Sequence, residues 1–245
     1  MAAIGEAERQ NAKPVFFLPR TSQQHGEFEL IFKLFPGLEI LETAPSWQEI
    51  EEGSDTGSRE PLTVLSGFFQ DTKYFPTITN PHWPRLPVIT QLPPQDSWAI
   101  HFRFGDYQIL EHYHVDLSRY YFYTITKNIP KGSTVTLFSD SPDRLPPIAK
   151  EIESLGYNVK IFNGDAFETL KAFSACVKGS VCSNSTFAWW AAYFAWRRTP
   201  DYKAYFPNRW LTTEPPMNLF NLPFTQSIDL DSINAEPPLL SFSHS

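Results

Sequence analysis

Between about Pro94 and Pro200 two kinds of hydrophobic pattern alternate along the chain. Short runs rich in β-branched and aromatic residues lie at Trp98–Phe104, Thr134–Phe138, Asn158–Phe162 and around Val181-Cys182. Helical spacing fills the stretches between them. Asp116 stands where it can cap a helix running through Asn128, which Pro130 stops. A second helix covers about Pro147 to Leu155, with Gly156 where a left-handed stop is needed. Asp165 opens a third, and Glu168 three residues on gives the reciprocal spacing of a capping box. The fourth, Thr186–Arg198, ends at Pro200. Phe187, Trp190, Ala191 and Phe194 fall on one of its faces and Trp189, Ala192, Tyr193 and Trp196 on another. A helix apolar nearly all round must be buried.

Strands alternating with helices over this length predict βαβ units and an α/β fold built on a mainly parallel sheet, a Rossmann-like lobe. The preceding part is thinner. Pro14–Leu18, Leu38–Leu41 and Pro61–Phe69 read as strands and Glu27–Leu34 as a helix, while the acidic stretch Glu49–Glu60 reads as a surface loop. After about Thr212 the chain is rich in proline and polar residues without periodicity, which predicts an irregular tail on the surface. The expected division is a first lobe over 1–93, a Rossmann-like lobe over 94–212 and a tail over 213–245.

Composition narrows the function. The 245 residues are 42% hydrophobic and 19% charged, enough apolar material for one large core or two small lobes. The net charge is −7 and no basic run exceeds Arg197-Arg198, so the basic stripe of a nucleic-acid binder is missing. The two cysteines, Cys176 and Cys182, are too few for a disulfide framework or a zinc site and are expected as buried thiols. No apolar stretch is long enough to span a membrane, and the start has no signal-peptide core. The chain as written is therefore expected to be soluble and cytoplasmic, with a Golgi or membrane-associated location open if a segment precedes it.

In open α/β sheets ligands bind beyond the carboxyl ends of the strands. Three polar clusters stand at such ends: His101–Tyr107, Ser139-Asp140 and Ser183–Thr186. Alternation places His101 and Arg103 on one face of their strand and Phe102 and Phe104 on the other. An Arg there either holds an anion, for which a planar guanidinium suits a diphosphate, or pairs with a core carboxylate. His101 alone reads as a hydrogen-bonded core histidine. Gly105 permits a tight exit from the strand. Ser183 or Asn184 would cap the helix at Thr186, whose N-terminus, with the Ser185 and Thr186 hydroxyls, forms an anion site or is simply capped. Ser139 and Asp140 suit a ribose or base, or a turn. Asp229 and Asp231 form a D-x-D pair without strand–turn context, a poor metal site.

These residues carry a family resemblance. The run H-F-R-F-G-D-Y from His101 resembles the H-x-R-R-G-D-Y motif of the α-1,2-fucosyltransferase family, glycosyltransferase family 11. L-F-S-D from Leu137 resembles its F-S-D-D motif, and N-S-T-F-A-W-W-A-A from Asn184 resembles its N-S-T-F-S-W-W-A-A motif. Weaker echoes are Gly67–Gln70 with Tyr74-Phe75, the pair Tyr120-Tyr121, and Pro207 with Trp210. Phe104 departs from the pattern by replacing the second Arg. The family's N-terminal G-G-x-G-N-Q loop is absent from the sequence given.

The resemblance implies a GT-B-like architecture with a shortened, acceptor-side N-terminal lobe. It implies metal-independent, inverting transfer of L-fucose from GDP-fucose to a galactose-terminated glycan, with no cofactor beyond the donor. Carried over to this sequence, Arg103 would hold the β-phosphate, Ser185-Thr186 would sit at the phosphates, Asp140 would belong to the nucleotide pocket, and Ser139 and Asn184 would join the donor-binding set. Asp106 is the nearest group to take the acceptor's proton, or equally fixes the loop after the strand; His114 stands behind it, and His101 joins Arg103 and Asp106 in the catalytic set. Two other readings stay open: a GDP-sugar binder without turnover, and an interaction module built on the 16% aromatic content.

Overall fold

The computed structural model describes residues 1–17, 34–41, 48–51, 63–66, 72–77, 79–86, 92, 95–105, 114–213 and 222–235. The chain divides into two compact units, Met1–Val88 and Ile89–Ser245.

In the first unit, α1 (Ala2–Arg9) precedes two pairs of parallel strands. β1 (Val15–Phe17) pairs with β2 (Glu39–Leu41), and β3 (Gln48–Glu51) with β4 (Thr63–Ser66). The helix was not expected. Its buried side is the short set Ile4, Gly5 and Ala7, too small to register as a hydrophobic face. Gly5 lies so close to the backbone at Tyr74–Pro76 that a Cβ would overlap the Tyr74 carbonyl. β3 corrects the expected loop over Glu49–Glu60, because its acidic residues take part in a parallel ladder; residues 52–60 lie outside the described residues. The expected helix over Glu27–Leu34 also lies outside them, apart from the buried Leu34.

The second unit is built on six strands: β5 (Trp98–Phe102), β6 (Thr134–Ser139), β7 (Asn158–Ile161), β8 (Gly179–Val181), β9 (Ala204–Pro207) and β10 (Thr225–Ile228). Their order across the sheet is β10-β9-β8-β5-β6-β7, and every pair is parallel. From β5 the chain winds outward to β7, crosses back to β8, and winds the other way to β10. This is a doubly wound, Rossmann-like order, and its reversal lies between β5 and β8.

The reversal also divides the helices. Helices α2 (Ser118–Asn128) and α3 (Leu145–Ser154), with α6 (Leu230–Ala235), share a core with Ile100, Phe102, Val135 and Leu137. Helices α4 (Ala166–Ala175) and α5 (Thr186–Arg198) pack against each other and serve the alternate strand positions. There Phe138 meets Phe162 and Phe173 with ring centroids 5.5 and 5.2 Å apart. Strand residues alternate between the two cores as the pleat requires.

The local signals behave as their chemistry dictates. The Asp165–Glu168 capping box is formed in both directions, and Gly156 ends the turn after α3 at φ +93°. Asp116 lies one residue upstream of the N-cap, where its Oδ1 accepts from the Ser118 N–H at 2.8 Å. The segment after Thr212 differs from expectation. β10 and α6 belong to the fold, and Phe224 is fully buried beside Trp189 and Trp196. The cause is the open edge of β9. Ala204, its first residue, and Asn208, just past its end, donate their N–H groups to the Phe224 and Ile228 carbonyls across that edge. No helix among the described residues is long and apolar enough to cross a membrane.

Candidate functional site

The site begins where β5 and β8 leave the sheet side by side. Ile100 faces Val181 in the parallel register, so the residues that follow, His101–Arg103 and Cys182–Asn184, emerge as neighbours. His101 points toward α4 and α5, between Phe173 and Phe187. Its Nδ1 is 2.8 Å from the Ser183 hydroxyl oxygen, and the ring is 3% exposed. Burial pushes its pKa down to about 4; nearby Asp140 raises it and Arg103 lowers it further. The imidazole is therefore neutral near pH 7 and ties two strands together, the core-histidine reading of the sequence. A buried base held this weak is a poor proton carrier.

Arg103 follows on the same side. Its Nη1 donates to Asp140 Oδ2 at 2.9 Å, with side chains 31% and 21% exposed. The sequence left open whether Arg103 meets a core carboxylate, and the carboxylate it meets stands at the end of the adjacent strand, β6. Asp140 Oδ1 accepts from the Phe104 N–H at 2.9 Å and from the Ser139 hydroxyl at 3.3 Å. Gly105 completes the seat, because a Cβ there would overlap Asp140 Oδ2. The turn after β5 is thus shaped around one carboxylate. Phe104, on the opposite face as expected, stacks on Phe102 and lies under the Arg144 guanidinium, 4.4 Å from its ring centroid.

The third cluster is more buried than its polar sequence suggests. Ser183 and Asn184 are fully buried and Ser185 is 8% exposed, whereas Thr186 is exposed. Ser185, rather than Ser183 or Asn184, is the N-cap of α5, and no side chain caps it. Ser183 is occupied by His101. Asn184 donates through Nδ2 to the Trp210 carbonyl at 2.9 Å. The same carbonyl accepts from the Val115 N–H, and His114 forms an antiparallel bridge with Leu211. Asn184 thus fixes the chain after β9 to the start of α5. The first-turn N–H groups of a 13-residue helix and the Thr186 hydroxyl remain the elements suited to an anion.

The fold therefore brings His101, Arg103, Ser139, Asp140 and Asn184–Thr186 to one carboxyl edge, around the β5/β8 reversal. Asp106 lies outside the described residues. Among the described residues no group of three His, Cys, Asp or Glu could hold a metal. Asp229 and Asp231 serve the start of α6 instead. Asp229 accepts from Asn208 Nδ2 at 2.9 Å and from the Ser232 hydroxyl at 2.6 Å, and Asp231 pairs with Arg209 at 2.7 Å. Sequence reasoning missed the bracing role of Tyr120. Its hydroxyl points at the Cys182 and Tyr205 carbonyls, at 2.9 and 2.8 Å, linking the end of β8 to β9. The available signal was a tyrosine on the buried face of a helix, whose O–H needs a polar partner.

No family model, curated protein or solved structure matches the chain.

Proposed function

We propose that the protein binds GDP-fucose at the carboxyl edge of β5, β6 and β8 and transfers L-fucose with inversion to a galactoside hydroxyl, α-1,2-linked. The observation that carries this reading is the convergence of Arg103 and the start of α5 on the reversal of a doubly wound sheet, where such sheets bind nucleotides. The three motif resemblances select the donor. A diphosphate leaving group gains negative charge as the sugar–phosphate bond breaks. A guanidinium and a helix N-terminus aimed at that charge stabilise the transition state without a metal.

In this mechanism Arg103 takes the diphosphate and the α5 N–H groups share its charge. The acceptor hydroxyl attacks the opposite face of an oxocarbenium-like sugar, and Asp106 is the residue assigned to its proton. His101 and Ser183 are positioning residues that hold β5 and β8 in register beneath the site.

The test is release of GDP from GDP-fucose in the presence of lactose and excess EDTA, with the fucosylated product identified by mass. The expected result is acceptor-dependent release that Arg103→Ala reduces at least about tenfold, on the scale of a lost charge-assisted contact. Donor binding without acceptor-dependent release would favour a GDP-sugar binder. Activity restored only by a divalent metal would contradict the metal-free mechanism.

A further inference from the structure

Asp140 is held more firmly than a residue reaching for a ligand requires. Its two oxygens meet the Phe104 N–H, the Ser139 hydroxyl and Arg103, and the missing side chain of Gly105 leaves the space that Oδ2 fills. Its pair with Arg103 is partly exposed, so the pair's own contribution to stability is modest. Its charge matters more. Asp140 Oδ2 lies 2.9 Å from the guanidinium nitrogen, so an anion arriving at Arg103 meets a fixed negative charge already in contact with its binding group. A unit charge about 4 Å away shifts binding roughly fivefold even in full aqueous screening, and further where the protein shields it.

We propose that Asp140 is a built-in competitor for Arg103, which lowers the site's affinity for a diphosphate and speeds its release. The inference rests on the reading of Arg103 as a diphosphate ligand. A diphosphate product carries more charge than the sugar diphosphate it came from, so an unopposed guanidinium would retain the product more tightly than the donor. A carboxylate fixed to the backbone reclaims the guanidinium as the product leaves.

Inorganic pyrophosphate is the probe, because it carries the charge and no nucleoside. Its affinity and dissociation rate are measured for the full chain, Asp140→Asn, Arg103→Ala and the double variant, at two ionic strengths. Asn keeps an oxygen for the Phe104 N–H and removes the charge. The expected result is pyrophosphate binding at least about fivefold tighter in Asp140→Asn, with slower release. That gain should shrink at the higher salt and vanish when Arg103 is already Ala. If Asp140→Asn does not fold, Asp140→Ser, which also removes the charge and keeps an oxygen, should show the same tightening. Unchanged or weaker pyrophosphate binding in the folded variant, with Arg103→Ala still costing affinity, overturns the competitor role and leaves the diphosphate site standing. Pyrophosphate binding that ignores Arg103→Ala overturns both.

Discussion

His101 and Ser183 meet at 2.8 Å between Nδ1 and Oγ, and their hydrogen bond crosses from β5 to β8, the two strands between which the sheet reverses its winding. Neighbouring strand ends must splay at such a reversal, because the connections leave on opposite faces. A buried bond between side chains holds the two ends together just below the point where Arg103 and the start of α5 emerge. The position of the candidate site therefore depends on a histidine that itself stays neutral.

That dependence gives stability a specific pH profile. The folded pKa of His101 is about 4 against an ordinary 6.5, so between these values the unfolded chain binds a proton that the folded chain refuses. The stabilisation is full above pH 6.5 and is lost progressively as pH drops toward 4, with a limiting slope of roughly 1 kcal/mol per pH unit for one proton. Urea unfolding of the wild type and of His101→Gln across this range should show the slope in the former and a flatter line in the latter. Parallel profiles would mean that His101 is accessible to protons in the folded protein.

The thiols make a second test. Cys176 and Cys182 are both unpaired in disulfide terms and fully buried, and burial raises both pKa values, that of Cys182 to about 12. A protonated, inaccessible thiol is unreactive. A thiol-specific colorimetric reagent at pH 8 should titrate neither cysteine in the native protein and both in denaturant. Rapid native reaction would place a thiol at the surface.

The segment beyond Thr212 is tested by Phe224. Its ring is 0% exposed and lies 5.3 Å from Trp196 and 5.7 Å from Trp189, between centroids. Phe224→Ala should cost about 3–5 kcal/mol, the scale for deleting a buried aromatic ring, read from chemical denaturation. A loss below about 0.5 kcal/mol would return the segment to a loosely attached tail.

The sequence was most legible where chemistry is local. Thr186–Arg198 is a helix with those bounds because its aromatics leave no polar face and Pro200 forbids continuation. The Asp165–Glu168 box and Gly156 were readable for the same reason. Legibility failed where a partner far along the chain decides. Thr225–Ile228 is too short and polar to suggest a strand, yet the open edge of β9 recruits it. Gln48–Glu51 is acidic and pairs with β4 all the same. At the site, the residue types at the strand ends could be read but not their mutual contacts. Ser183 and Asn184 look like helix caps, and only the fold reveals that His101 and the Trp210 carbonyl claim them.

The most direct test of a diphosphate site at this edge is calorimetric titration of GDP into the full chain and into Arg103→Ala. Arg103 makes an ion pair with an exposed side, so its loss should leave the fold intact, which thermal unfolding can verify. The account predicts measurable GDP binding by the wild type, weakened by about 1.5–3 kcal/mol in the variant, or roughly 10- to 150-fold. GDP affinity equal in the two proteins would contradict it.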